Sequence, residues 1–246
     1  MIQKIFILSI VFLLSQVTLY AKVSHINYKA TFGIFGTVGT IKNRLTENEK
    51  TYKIETTVKL VGMAKSLLGG QKEEYISKGH MHEGMMVSDY YSMRSIKKQQ
   101  TKLKEYVINH QKKQVQKRYR KWVKGTLVRD ETSYLNFYAK DDLLTLYFNM
   151  NKAITQKGMT YTMKAVGLEK QKGMVKVTVP KSNQTASYKK DLGISANWYA
   201  KARIVQKNFR KNSGDILLSV ENDGFIKKAV IKDILMFGDA TLLRIP

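Results

Sequence analysis

The chain has 246 residues, with 43 Lys or Arg against 19 Asp or Glu for a formal charge of +24, 43% hydrophobic residues and 10% aromatics. A disordered basic chain would be poor in Tyr, Phe and Ile, so this composition describes a packed domain rather than a basic tail. The absence of cysteine excludes disulfides, thiol catalysis, cysteine metal sites and a lipid-modified N-terminal cysteine.

Met1 to Lys4 carries one positive charge, Ile5 to Leu14 is apolar except for Ser9, and Leu19-Tyr20-Ala21 closes the segment. Residues 1–21 therefore read as a secretory signal peptide, and residues 22–246 as a single exported domain of the periplasm. The alternative is an inner-membrane anchor over residues 5–21, but its apolar run is short against the roughly 20 residues of a spanning helix. Residues 1–21 hold Lys4 and no acid, so their removal lowers the formal charge by one, to +23. Only Pro180 and Pro246 occur, and no linker, repeat or low-complexity tract divides the remainder.

The periodicity then predicts strands. His25–Phe32, Gly36–Leu45 and Thr51–Val61 are rich in Tyr, Thr, Val and Ile and read as a meander. In the third, Tyr52, Ile54, Val58 and Leu60 share one parity opposite Lys53, Glu55 and Lys59, which makes one face buried and one wet. A short helix over about 63–68 ends at Gly69-Gly70. A second, over about 141–152, takes Asp141 or Asp142 as its cap, and Leu143, Leu144, Leu146, Tyr147, Phe148 and Met150 make it apolar almost all round, so it must be buried. Met174–Val179 alternates again. Asp215–Val220 and Phe225–Ile231 flank an Asp223-Gly224 turn that suits a tight hairpin, and Met236–Ile245 can close the sheet. The expected fold is mainly β, a curved antiparallel sheet or incomplete β-barrel of about nine to eleven strands crossed by one buried helix.

Asp141-Asp142-Leu143-Leu144-Thr145-Leu146-Tyr147-Phe148 resembles the acidic and Leu/Tyr-rich core motif of the exported bacterial domain-of-unknown-function 3108 family. Tyr28, with Phe32-Gly33-Ile34-Phe35-Gly36-Thr37-Val38-Gly39, resembles its first hairpin, and Asn222-Asp223-Gly224-Phe225-Ile226 its closing one. The resemblance spans about residues 25–245 and is thin between motifs. It implies an exported, mainly antiparallel β domain with no assigned activity. The family often places Pro after the motif's acid and Arg after its aromatic pair, whereas Leu143 and Asn149-Met150-Asn151 stand here.

No catalytic residue, metal site or cofactor emerges from the sequence. His80 and His82 would point the same way on a strand, a spacing that suits two metal-bound imidazoles. The nearby acids are Glu73, Glu74, Glu83 and Asp89, no third ligand is indicated, and His25 and His110 stand isolated. Ser66, Ser133, Ser187 and Ser195 lack a nucleophile-elbow context. Asp141 and Asp142 are accounted for by helix capping. Gly33, Gly36 and Gly39 lie inside strand-like sequence, where they serve close backbone approach or curvature and not a dinucleotide.

The sharpest feature is Arg94 to Lys124, with twelve Lys or Arg against one acid, Glu105. Interleaved Tyr106, Val107, Ile108, Val115, Tyr119 and Trp122 make it a folded hairpin turning near Asn109-His110-Gln111. Basic residues among aromatics can bind nucleic acid, but export directs them instead to anionic lipid, lipopolysaccharide or acidic glycans. The plain alternative is a solvated, lysine-rich sheet face that discourages edge pairing. Together these features describe a non-enzymatic binding or carrier domain. Tyr28, Phe32, Tyr52, Ile54 and Phe148 would line a concave face for an apolar or lipid-like ligand, and Lys112, Lys113, Lys117, Arg118, Arg120 and Lys121 would meet anionic envelope material. The alternative is a structural or assembly protein of the envelope with a filled core that binds another envelope protein. Carrier and scaffold differ in whether an interior cavity exists.

Export predicts a mature N-terminus at Lys22. N-terminal sequencing of protein from the periplasmic fraction should read Lys-Val-Ser, and recovery of intact Met1 from the inner membrane would make residues 5–21 an anchor.

Overall fold

A computed structural model describes residues 21–68, 70–205, 213–234 and 238–246; the proposed signal peptide, apart from Ala21, lies outside them. The strands are β1 (Lys22–Phe32), β2 (Gly36–Glu47), β3 (Thr51–Leu60), β4 (Lys72–His82), β5 (Met85–Lys97), β6 (Gln100–Asn109), β7 (Gln114–Val123) and β8 (Thr126–Tyr134). They continue with β9 (Asp141–Asp142), β10 (Thr160–Val166), β11 (Met174–Thr178), β12 (Trp198–Val205), β13 (Ser213–Val220), β14 (Ile226–Ile234) and β15 (Gly238–Ile245). The helices are α1 (Gly62–Leu68), α2 (Leu143–Ala153) and α3 (Ala186–Leu192).

The protein is mainly β, and its sheet is curved and open. Fifteen strands run β8-β7-β6-β5-β4-β3-β2-β1-β15-β14-β13-β12-β11-β10-β9 among the described residues, more than the nine to eleven expected. The first and last long strands pair, from Asn27 opposite Ile245 to Phe32 opposite Ala240. Among the described residues only β9 is parallel to its neighbour, β10. The strands beyond expectation carry weak patterns: β4 mixes acids, lysines, Gly79 and His80 on its two faces, and every residue of the edge strand β8 is exposed. The Asp223-Gly224 connection is also wider than a two-residue hairpin. Residues 221–225 form the loop, closed by Glu221 N–H to the Phe225 carbonyl at 2.9 Å, and of the Asp-Gly pair only Gly224 has positive φ.

Curvature brings the start of β5 toward β9. Ser88 N–H donates to the Lys140 carbonyl at 3.0 Å. The Asn149 side chain accepts from Met86 N–H at 3.0 Å and donates to the Met86 carbonyl at 2.8 Å. From Tyr90 onward β5 instead pairs with β6, so β6, β7 and β8 run on past this junction as an arm.

The predicted long helix lies across the interior as α2. Its Met150 joins Val177, Trp198 and Val220 of β11–β13. Its Phe148 joins Ile26, Tyr52 and Ile54 of β1 and β3, while Leu143 and Leu144 lean on Tyr91, Tyr106 and Val166. Asp142 caps it: one carboxylate oxygen accepts from Leu144 N–H at 2.7 Å and Thr145 N–H at 3.1 Å, and Thr145 Oγ1 accepts from Asp142 N–H at 2.8 Å. The other oxygen accepts from Ser77 Oγ at 2.5 Å and Ser88 Oγ at 2.6 Å, and Tyr52 Oη lies 3.0 Å from Ser77 Oγ. Asp142 is fully buried. Removing water from the carboxylate outweighs its four donors and pushes its pKa up to about 6.

A carboxyl with a folded pKa above its unfolded value of about 4 favours folding when protonated, and that contribution is lost as pH rises through about 6. The size is about 3 kcal/mol at 1.36 kcal/mol per unit. Asp142→Asn keeps the shape, and the serine hydroxyls can turn to suit the amide. The stability of wild type relative to Asp142→Asn should therefore fall by about 2 kcal/mol between pH 4 and pH 7, since the unfolded carboxyl is already partly ionised at pH 4, measured by urea denaturation at both. Asp142→Ala strands two hydroxyls and two backbone N–H groups, so it should cost more than the about 1 kcal/mol of an exposed cap.

Candidate functional site

Residues directly opposite one another in paired strands share a face, and the register lays three rows across the concave side. One runs Tyr28, Ile41, Val58, Glu73, Ser95, Lys102, Lys121, Arg129. A second runs Ile26, Asn43, Thr56, Tyr75, Met93, Lys104, Tyr119, Glu131 and a third Leu45, Ile54, Ser77, Tyr91, Tyr106, Lys117, Ser133. Each is mostly apolar where the sheet curves around α2, apart from the buried Asn43, Thr56 and Ser77, and polar or cationic on the arm.

At the apolar end lies a cavity of about 290 Å³. Tyr28, Ile41, Val58, Tyr75 and Tyr91 line its sheet side, and Leu143, Leu144 and Tyr147 of α2 face them. Most of its polar lining is internally satisfied. Asn43 Nδ2 donates to the Ile26 carbonyl at 2.7 Å, and Asn43 Oδ1 accepts from Thr56 Oγ1 at 2.7 Å. Tyr28 Oη bonds Tyr147 Oη and donates to the Ile226 carbonyl at 3.0 Å. The exception is Tyr91, whose fully buried hydroxyl has no hydrogen-bond partner among the described residues. Burial, with the Asp142 charge next in size, holds its pKa well above the usual phenol range.

Of the five residues expected to line a concave face, Tyr28 lines this cavity. Tyr52, Ile54 and Phe148 are buried together beneath α2 as core. Phe32 is half-buried at the end of β1, outside that cluster. Of the tyrosines 75, 91 and 147 at the cavity, the sequence marks Tyr147 alone, as part of the apolar helix, while Tyr75 and Tyr91 sit on strands whose pattern is too mixed to read.

The cationic residues divide between faces. Lys112 and Lys113 are exposed in the turn between β6 and β7. Arg118 and Arg120 stand on the outer side: Arg118 holds Asp130 through two nitrogens, at 2.8 and 2.6 Å, and Arg120 pairs with Glu105 and lies 5.4 Å from the Trp122 ring centroid. Lys117 turns inward to Glu169 at 3.1 Å, and Glu169 also accepts from Tyr106 Oη. The acids Asp130 and Glu169 lie outside the segment 94–124, which is why that segment alone reads as nearly uncompensated. Lys102 and Lys121 oppose each other on the inner face, and neither has an ion pair among the described residues.

A separate cluster gathers at the β4–β5 junction. Between the pairs Lys78–Tyr90 and Gly79–Ser88 the register shifts, which leaves Asp89 as the extra residue of a bulge. Gly79 is required there, because a Cβ on it would overlap the Val87 carbonyl oxygen and crowd Asp89 N and Tyr52. His80 Nδ1 lies 3.0 Å from Asp89 Oδ2, and His110 Nε2 lies 3.1 Å from Asp89 Oδ1. The histidine brought to His80 is thus His110, across the sheet, and not His82, which is exposed at the end of β4.

No family model matches the chain, and no curated protein matches it. Among solved structures it is similar to a beta-barrel-like protein of the domain of unknown function DUF1849 from Brucella abortus, with 10% identity, 89% of this chain and 93% of that chain covered, and a TM-score of 0.46. No described helix is long and apolar enough to cross a membrane.

Proposed function

We propose that this protein is an exported, non-enzymatic binding or carrier domain for an amphiphile, with the apolar chain in the cavity and an anionic head group on the arm. The observation that carries this reading is the row from Tyr28, Ile41 and Val58 to Lys102 and Lys121, apolar at one end and cationic at the other on one continuous face. Strands about 4.8 Å apart put Lys102 roughly 14 Å from Val58, within reach of one extended lipid. Like charges directly opposite in a sheet repel, so Lys102 and Lys121 gain from an anion between them. The cavity favours a carrier over a scaffold with a filled core. Membership of the domain-of-unknown-function 3108 family and a periplasmic location belong to the same proposal.

The test uses delipidated protein with a fluorescent fatty acid and its methyl ester. Both should bind saturably at one site, the acid more tightly and with salt sensitivity, since exposed charges are screened over about 8–10 Å near physiological ionic strength. Val58→Trp should abolish both by filling the cavity. The double variant Lys102→Glu, Lys121→Glu should weaken the acid by about tenfold, a difference of about 1.4 kcal/mol, and leave the ester unchanged. Tyr91→Phe should leave the ligand-free protein as stable or more so, because an unpaired buried hydroxyl costs about 1–3 kcal/mol. Absence of saturable binding by either probe overturns the reading.

A further inference from the structure

We propose that His80, Asp89 and His110 form a site for a divalent transition metal of the zinc class, independent of the cavity. The three come from β4, from the β5 bulge and from the residue that follows β6, and one ligand atom from each lies within 4.8 Å of the other two. A tetrahedral ion with bonds of about 2.0–2.1 Å holds its ligands about 3.3 Å apart. Asp89 Oδ1 lies 3.1 Å from His80 Nδ1 and 3.1 Å from His110 Nε2, which already meets that spacing, so only the separation between the two histidines has to close. Two imidazoles and one carboxylate suit zinc, cobalt, nickel or copper. They do not suit calcium or magnesium, which take six or more oxygens.

The surroundings orient the ligands. His110 Nδ1 lies 2.8 Å from Tyr138 Oη; with Nε2 on the metal, Nδ1–H donates to that hydroxyl and fixes the tautomer. The bulge aims Asp89, and Gly79 permits the bulge. The Asp89 side chain is 47% exposed and that of His80 45%, so a metal with three protein ligands keeps a fourth position open to water or to a ligand group. The competing account is an aspartate hydrogen-bonded to two imidazoles, with His110 Nε2–H also donating to the Ser88 carbonyl at 3.0 Å.

The experiment takes the tag-free chain of residues 22–246, stripped with a chelator, and titrates zinc by calorimetry and cobalt by visible absorption. The expected result is one saturable site per chain, cobalt bands of tetrahedral intensity, and a melting temperature that rises with added zinc. His80→Gln, His110→Gln and Asp89→Asn should each weaken binding about tenfold or more, and Tyr138→Phe about tenfold through lost orientation. His82→Gln and His25→Gln should leave binding unchanged, as should an excess of calcium or magnesium. Circular dichroism separates lost ligation from lost fold, and the two histidine variants keep the question answerable if Asp89→Asn disturbs the bulge. Absence of one-to-one binding in the wild type overturns the proposal and leaves hydrogen bonds only. Equal losses from His82→Gln or His25→Gln overturn it too, as the mark of scattered surface histidines.

Discussion

The buried carboxylate of Asp142 determines where the chain can cross its own interior. A helix that enters a sheet's concave side brings unpaired N–H groups at its first turn, and these must be met inside the protein. Asp142 meets two of them, at Leu144 and Thr145, with one oxygen, and turns the other toward Ser77 on β4 and Ser88 on β5. Helix start and sheet wall are therefore joined through one group. Because the helix dipole and four donors face it, the carboxylate is tolerated at a depth where an unpaired one would not be.

The cavity follows from that anchoring. With its N-terminus tied to β4 and β5, α2 lies so that Phe148 and Met150 complete the core on two sides, while Leu143, Leu144 and Tyr147 look across at β1–β5. The facing positions on β2 and β3 include the modest side chains Asn43 and Thr56, which bond each other and the Ile26 carbonyl and so make no call for water. Space remains because these residues satisfy themselves without filling it. A larger apolar pair there would close the cavity and make the core continuous.

How much of this the sequence reveals depends on how strongly each segment's pattern is tied to a single face. β3 was legible because Tyr52 and Ile54 alternate with Lys53 and Glu55, and α2 because its apolar surround and acidic start admit little else. Strand β4 is not, since Glu73 and Ser77 point inward and are satisfied there by Tyr75, Tyr52 and Asp142, so an inward position leaves no hydrophobic trace. The edge strand β8 buries nothing and writes no pattern. The His80–Asp89–His110 cluster depends on a bulge and on a turn across the sheet, neither of which has a spacing that can be counted along the chain.

Charge pairing then narrows what a chain of +24 offers to a partner. Arg118 is held by Asp130, Arg120 by Glu105, Arg129 by Glu131 and Lys117 by Glu169. Exposed pairs of this kind add little stability, but each lowers the field its cation presents. The outer side of the arm, which carries the Arg118–Asp130 and Arg120–Glu105 pairs, is thereby a patchwork of both signs, which guards the exposed edge β8 against strand addition more than it recruits an anion. The inner side differs, because Lys102 and Lys121 face each other, Glu73 of their own row is engaged by Tyr75 and Gln71, and Glu131 of the neighbouring row by Arg129. Net charge thus says little about where an anion goes. The register says more, since it sets two facing lysines on the same surface as the cavity.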